Sequence, residues 1–227
     1  NEATSLSFFV DLVGGADLEL LAGNTVYGAL GNVVWSGSGT PDGFSAVADL
    51  GGPSGPEVVV VADGLVFVLS GTDGSLLLPS TTLASFGHGG PPLLADLDGD
   101  GVVEIGVSGQ GAYTVLEPDW AGNALVDEWS VDNADTSSSL TGSVAHDFDG
   151  DGAAEVVVGD QCFLWILDGS TGAARHASPT QSFTATGSPA VADVDGDGRA
   201  EILLGETGAD PTSYGCAQHD DGTDGFP

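Results

Sequence analysis

Short apolar runs recur along the chain, each preceded by a polar, glycine-rich insert. The runs at 155–158, 162–167 and 201–204 are four to six residues long, rich in Val, Ile and Leu, and bounded by Gly and Asp. That length and punctuation predict strands, and no segment sustains a 3.6-residue amphipathic period. A unit therefore reads as four strands. A first apolar segment, such as 143–145 or 188–192, leads into an acidic loop. A second strand over 155–158 or 201–204 ends at Gly159 or Gly205, and a third covers 162–167. The turn Asp168-Gly-Ser-Thr-Gly172 then sends the chain back into a fourth strand. Another unit repeats this scheme with 65–69 and the turn Gly71-Thr-Asp-Gly74.

The acidic inserts align. Three read Asp-x-Asp-Gly-Asp-Gly-x-x-Glu, from Asp96, Asp147 and Asp193. A fourth copy keeps only Asp49 and Glu57, and a fifth only Asp11 and Glu19, with the same separation of eight as Asp96 and Glu104. Units near 11, 49, 96, 147 and 193 are spaced by 38, 47, 51 and 46 residues, which is a repeat architecture with variable loops. Four strands in about 40–50 residues is the composition of a propeller blade. The expected fold is all-β: a β-propeller of four-stranded blades with calcium loops between first and second strands. It forms one domain over 1–227 or a fragment of a larger propeller.

The Asp-rich loop running into Glu-Val-Val-Val-Gly resembles the FG-GAP or VCBS-type repeat, related to the calcium-binding blades of the integrin α-subunit head. The resemblance covers nearly the whole chain, strongly from 96, 147 and 193 and in degenerate form from 11 and 49. Residues 163–172, followed by Arg175-His176, are also similar to the outer strands of quinoprotein-like propellers.

Calcium is a hard cation taking six to eight oxygens at flexible geometry. Carboxylates at loop positions 1, 3 and 5 can converge on one centre, glycines at 4 and 6 allow the tight turn, and a carbonyl at 7 and an acid at 9 can close the shell. The candidate ligands are Asp96, Asp98, Asp100, the carbonyl of Val102 and Glu104; then Asp147, Asp149, Asp151, Ala153 and Glu155; then Asp193, Asp195, Asp197, Arg199 and Glu201. An EF-hand shares the opening but needs a Glu at position 12 between helices. Here position 12 is Val107, Val158 or Leu204, in a strand. A dockerin-like reading fails for the same reason. About three Ca²⁺ ions are expected, in preference to magnesium with its stricter octahedral demand. The loops at 11 and 49 lack acids at positions 3 and 5, and are expected to be metal-free corners.

Composition narrows the function classes. The chain has 227 residues, 41% of them hydrophobic, enough to bury a core. With no Met to open it, the chain is expected to be processed or part of a longer one. Its 34 acidic residues face two basic ones, Arg175 and Arg199, for a net charge of −32. Such a surface repels phosphate backbones and anionic lipid, which excludes nucleic-acid partners, and no apolar stretch reaches membrane-spanning length. Three calcium ions would offset only six charges and leave about −26. The remaining acidity is consistent with a saline or cation-rich medium.

Cys162 and Cys216 fall at equivalent places in successive units. A disulfide is expected between them, with free thiols as the alternative. His146 is expected to pack rather than react, as are Trp35 and Trp129 on outer strands. No catalytic constellation can be assembled. The function expected is a secreted or cell-surface, non-enzymatic calcium-binding module for adhesion, recognition or assembly, with an extracellular protein or glycan as partner. The alternative is a propeller-fold lyase or hydrolase acting on polysaccharide. Ring closure has three routes: a longer parent chain, a compact five-unit ring that could use the strand at 6–10, or a neighbouring copy in self-assembly.

Overall fold

The computed structural model describes residues 6–53, 55–84, 87–135, 140–180 and 187–205, together with Cys216. The rest of the tail 213–227, including His219, lies outside the described residues. The first sheet holds β1 (Ser7–Val10), β2 (Glu19–Ala22), β3 (Thr25–Tyr27) and β4 (Val33–Ser36). The second holds β5 (Phe44–Ala48), β6 (Glu57–Ala62), β7 (Leu65–Ser70) and β8 (Leu76–Thr82). The third holds β9 (Leu93–Ala95), β10 (Glu104–Ser108), β11 (Ala112–Asp119) and β12 (Ala124–Asp132). The fourth holds β13 (Ser143–His146), β14 (Glu155–Gly159), β15 (Phe163–Leu167) and β16 (Ala174–Pro179). A fifth, two-stranded sheet pairs β17 (Ala190–Ala192) with β18 (Glu201–Leu203).

Every sheet is an antiparallel meander in which chain neighbours pair. The four-strand unit is therefore present, with its acidic loop between the first and second strands. The segment 6–10, considered as a ring-closing strand, supplies β1 and pairs with β2 inside its own sheet. Among the described residues the sheets do not close into a ring.

Why the apolar runs lack strict alternation is clear from the packing. Successive side chains of a strand point to opposite faces, and the middle sheets are covered on both. Along β6, Val58, Val60 and Ala62 pack toward the first sheet with Leu21, Val26 and Trp35. Val59 and Val61, between them, pack toward the third sheet with Ile105, Val107 and Leu116. The third sheet then turns Tyr113 and Val115 to the fourth, against Val156, Val158, Phe163 and Trp165. First strands of successive sheets lie beside one another, β5 by β9, β9 by β13 and β13 by β17. Among the described residues, one face of the first sheet is covered: Phe8 and Val10 join the core while Phe9 between them is 70% exposed.

Two tryptophans fasten one sheet to the next. Trp35 on β4 donates its indole N–H to the Gly71 carbonyl at 2.8 Å, in the β7–β8 turn of the second sheet. Trp129 on β12 does the same to Gly169 at 2.7 Å, in the β15–β16 turn of the fourth. Both rings lie flat against a turn glycine, Gly74 or Gly172, where any β-carbon would overlap the indole. The expected outer-strand packing role of these tryptophans is thus realised as an inter-sheet lock. Cys162 and Cys216 form the expected disulfide, with Cα atoms 5.3 Å apart. His146 is exposed and meets Phe148 edge-on, a surface contact rather than a core one.

Trp129→Ala is expected to lower unfolding free energy by about 3–5 kcal/mol, and Trp129→Phe by about 1–2 kcal/mol through loss of the hydrogen bond. Urea titration in calcium-containing buffer measures both. A Trp129→Phe protein indistinguishable from the parent would remove the indole N–H from this account.

Candidate metal centres

All five acidic inserts are hairpin loops of one length. The residue before the first Asp pairs with the glutamate: Val10 with Glu19, Ala48 with Glu57, Ala95 with Glu104, His146 with Glu155, and Ala192 with Glu201. The constant separation of eight is thereby explained. Each glutamate also turns one oxygen back into its loop. Oε2 accepts the backbone N–H of the residue at position 2, at 2.9 Å for Leu12, 2.8 Å for Leu50, 2.5 Å for Leu97, 2.8 Å for Phe148 and 2.9 Å for Val194. Glutamate persists in the degenerate copies because this staple does not depend on the other acids.

The three full loops share a further network. Oδ1 of Asp96, Asp147 and Asp193 accepts the amide of the glycine at position 4, at 2.7, 2.6 and 2.6 Å. Oδ2 of the same aspartates accepts from the glycine at position 6, at 3.0, 3.0 and 2.9 Å. Asp98, Asp149 and Asp195 cap the amide at position 5, and Asp100, Asp151 and Asp197 cap Val102, Ala153 and Arg199. Both glycines have positive φ, 82° and 91° for Gly99 and Gly101, a region disfavoured for residues bearing a β-carbon.

This curl gathers carboxylates. One oxygen each from Asp96, Asp98 and Glu104 lies within 4.8 Å of the others, as do those of Asp147, Asp149 and Glu155, and of Asp193, Asp195 and Asp197. Asp100, Asp151 and Glu201 stand outside these groups. No such group forms at 11 or 49 among the described residues. The buried chemistry fits a cation: Glu104 is almost fully buried, yet its Oε1 has no hydrogen-bond partner, as is also true of Glu57, whose loop lacks the acids of positions 3 and 5. An orphaned carboxylate oxygen beside two further acids is costly unless positive charge meets it. Burial, followed by the charges of Asp98, Asp96 and Asp100, pushes Glu104 up to about 7 against the opposing Leu97 amide. Glu57 is raised too, again chiefly by burial, with Asp49 adding to it.

The loop at 147 has an additional visitor that spacing did not reveal. Arg175 on β16 donates from Nη1 to Asp149 Oδ2 at 2.7 Å, and the same nitrogen lies 2.5 Å from Glu155 Oε1. Its Nε and Nη2 hold Asp168 Oδ2 at 3.1 and 2.8 Å. A sequence signal existed, since only two basic residues occur among 227. Asp160 was likewise not singled out. It is buried and accepts from Ala134, Cys162, Phe163 and the Trp165 indole, tying the exit of the third sheet to the fourth.

Residues 147–204 match the family model of the FG-GAP-like repeat. No curated protein matches the chain in a sequence search. The fold is similar to that of the V. cholerae biofilm matrix protein Bap1, at 18% identity over 87% of this chain and 59% of that one, with a TM-score of 0.62. It is similar to rhamnogalacturonan lyase YesW, at 17% identity over 84% of this chain and 40% of that one, TM-score 0.55. It is also similar to an Agrocybe aegerita lectin specific for non-reducing terminal N-acetylglucosamine, at 14% identity over 88% and 60%, TM-score 0.52. The chain thus spans about three-fifths of the first and third and two-fifths of the lyase. At these identities the likeness is one of fold.

Glu104→Gln separates the metal-free and metal-bound roles of this residue. With the carboxyl raised to about 7, the folded chain keeps a proton that the unfolded chain has released near 4.5. The stabilisation is full below 4.5 and is lost as pH rises through about 7. In EDTA at pH 8 the variant should therefore melt above the parent, and the gap should close at pH 5. With calcium the order at pH 8 should reverse. A variant melting below the parent in EDTA at pH 8 contradicts the geometry.

Proposed function

We propose that the sheets are blades of a calcium-binding β-propeller module that works outside the cell in adhesion, recognition or assembly. The observation that carries the reading is the repeated loop: three hairpins of one geometry, each with carboxylates aimed at one point, the first above a buried, unpartnered glutamate oxygen. Calcium is the cation best suited, because flexible all-oxygen coordination tolerates clusters that differ in burial and membership. Its ligands would be the grouped carboxylates, joined by Asp100, Asp151 and Glu201 and by the carbonyls of Val102, Ala153 and Arg199. Three ions are the expected complement.

The ion's part is mechanical. It removes repulsion between the acids and pins the hairpin joining the first and second strands of a blade. Extracellular modules bind calcium at about 10⁻⁴–10⁻³ M, where the medium itself supplies the ion. A disulfide supports the same compartment, because such bonds persist in oxidising surroundings. Similarity in fold to a biofilm matrix protein and a lectin supports a binding role, with an extracellular protein or glycan as the partner. The enzyme alternative draws on the likeness to a rhamnogalacturonan lyase. Against it, the regular acid clusters are engaged in hairpin loops.

At free calcium about tenfold above Kd, each site adds about 1.4 kcal/mol of stability, a few degrees in a chain of this size. EDTA should therefore lower the melting temperature and calcium restore it, in scanning calorimetry. Unchanged melting on chelation would sink the calcium reading. Turnover on pectic polysaccharides, set against glycan-array binding, decides between enzyme and binding module.

A further inference from the structure

The third and fourth strands of all four complete sheets are paired with a bulge at one equivalent place. Val26 faces Trp35 while Tyr27 faces Val33, leaving Val34 as the extra residue. The same shift leaves Leu77 extra in the second sheet, Glu128 in the third and Arg175 in the fourth. A bulge re-aims the side chain it carries. In the fourth sheet it sends Arg175 to the acidic loop of its own sheet, where Nη1 meets Asp149 and Glu155 together. Both are members of the group that could hold a metal. Asp168 grips the other edge of the guanidinium and fixes its direction. In the third sheet the bulge residue is an acid, and a second acid, Glu117, lies within electrostatic reach of Glu128, Asp98 and Asp100.

We propose that Arg175 is a tethered cation for the 147–155 loop, occupying the position a divalent ion would take. Metal enters this loop only by displacing the guanidinium, whereas the 96–104 loop, with Glu128 at the same place, binds without that competition. The inference rests on the calcium reading above and makes the loops unequal. The 96–104 loop is filled in the structural range of calcium, and the 147–155 loop only at higher concentration. It also assigns the bulge position a role in setting affinity: basic there means self-neutralised, acidic means metal-dependent.

A calcium titration followed by NMR reads the two sites separately, through the amides of Gly101 and Gly152 that each donate to the first aspartate of their loop. In the parent, Gly101 should shift at a calcium concentration about tenfold lower than Gly152, the worth of one displaced charge-assisted hydrogen bond. In Arg175→Gln the Gly152 transition should move down to join that of Gly101. Glu128→Arg, which leaves the fourth sheet intact, should move the Gly101 transition upward and covers the case in which Arg175→Gln folds poorly. A Gly152 transition at or below that of Gly101 in the parent, or one unmoved by Arg175→Gln, overturns the proposal while leaving calcium binding in place. If neither amide responds to calcium, the calcium reading itself fails.

Discussion

A single hydrogen bond, made five times, sets the shape of every acidic hairpin loop. The glutamate at the start of each second strand accepts, through Oε2, the backbone N–H two residues into the loop. A hydrogen bond to a charged group contributes about 1.5–3 kcal/mol, and here it holds an eight-residue hairpin loop to one curvature. In the first three loops the residue at position 2 is also buried. Leu12, Leu50 and Leu97 are buried under the turn of the following sheet: Leu12 against Gly71, the Leu50 carbonyl accepting the Trp120 indole at 2.7 Å, and Leu97 against Gly169. The loop therefore belongs to the inter-sheet contact as much as to its own sheet.

Sheets are added in one direction by that contact, each burying the position-2 side chain and outer-strand tryptophan of its predecessor where those are present. Stability accrues at nearest-neighbour interfaces, as in other stacked repeats. The two ends of the described array show what an interface supplies. Phe148 and Val194, at position 2 of the last two loops, are 36% and 59% exposed, and Phe9 at the other end is more exposed still.

Much of this was legible in the chain. A fixed Asp-to-Glu separation predicted a repeat, Val-rich runs predicted strands, and Cys162 and Cys216 predicted a bond between neighbouring units. What was not legible depends on tertiary register. Nothing in the spacing distinguishes a glutamate that staples from one that ligates, because one carboxylate can do both with its two oxygens. Residue order likewise hid Arg175, which lies 20 positions beyond Glu155 and reaches it only because a bulge turns it there.

Four of the five loops pose a related electrostatic problem and meet it in three ways. A staple that buries a glutamate beside further carboxylates accumulates negative charge where water is scarce, and that charge must be reduced or opposed. At 11 and 49 the acids of positions 3 and 5 are absent, so the staple stands without a counter-ion. At 147 a guanidinium arrives from the fourth strand of the same sheet. At 96 the surroundings are acidic throughout and the buried Oε1 has no protein partner, so an external cation would have most to neutralise there. The loops thus keep one backbone shape while differing in the charge gathered inside them. A net charge of −32 makes the distinction sharper: with two basic residues in the whole chain, few other carboxylates can find a cationic partner within it.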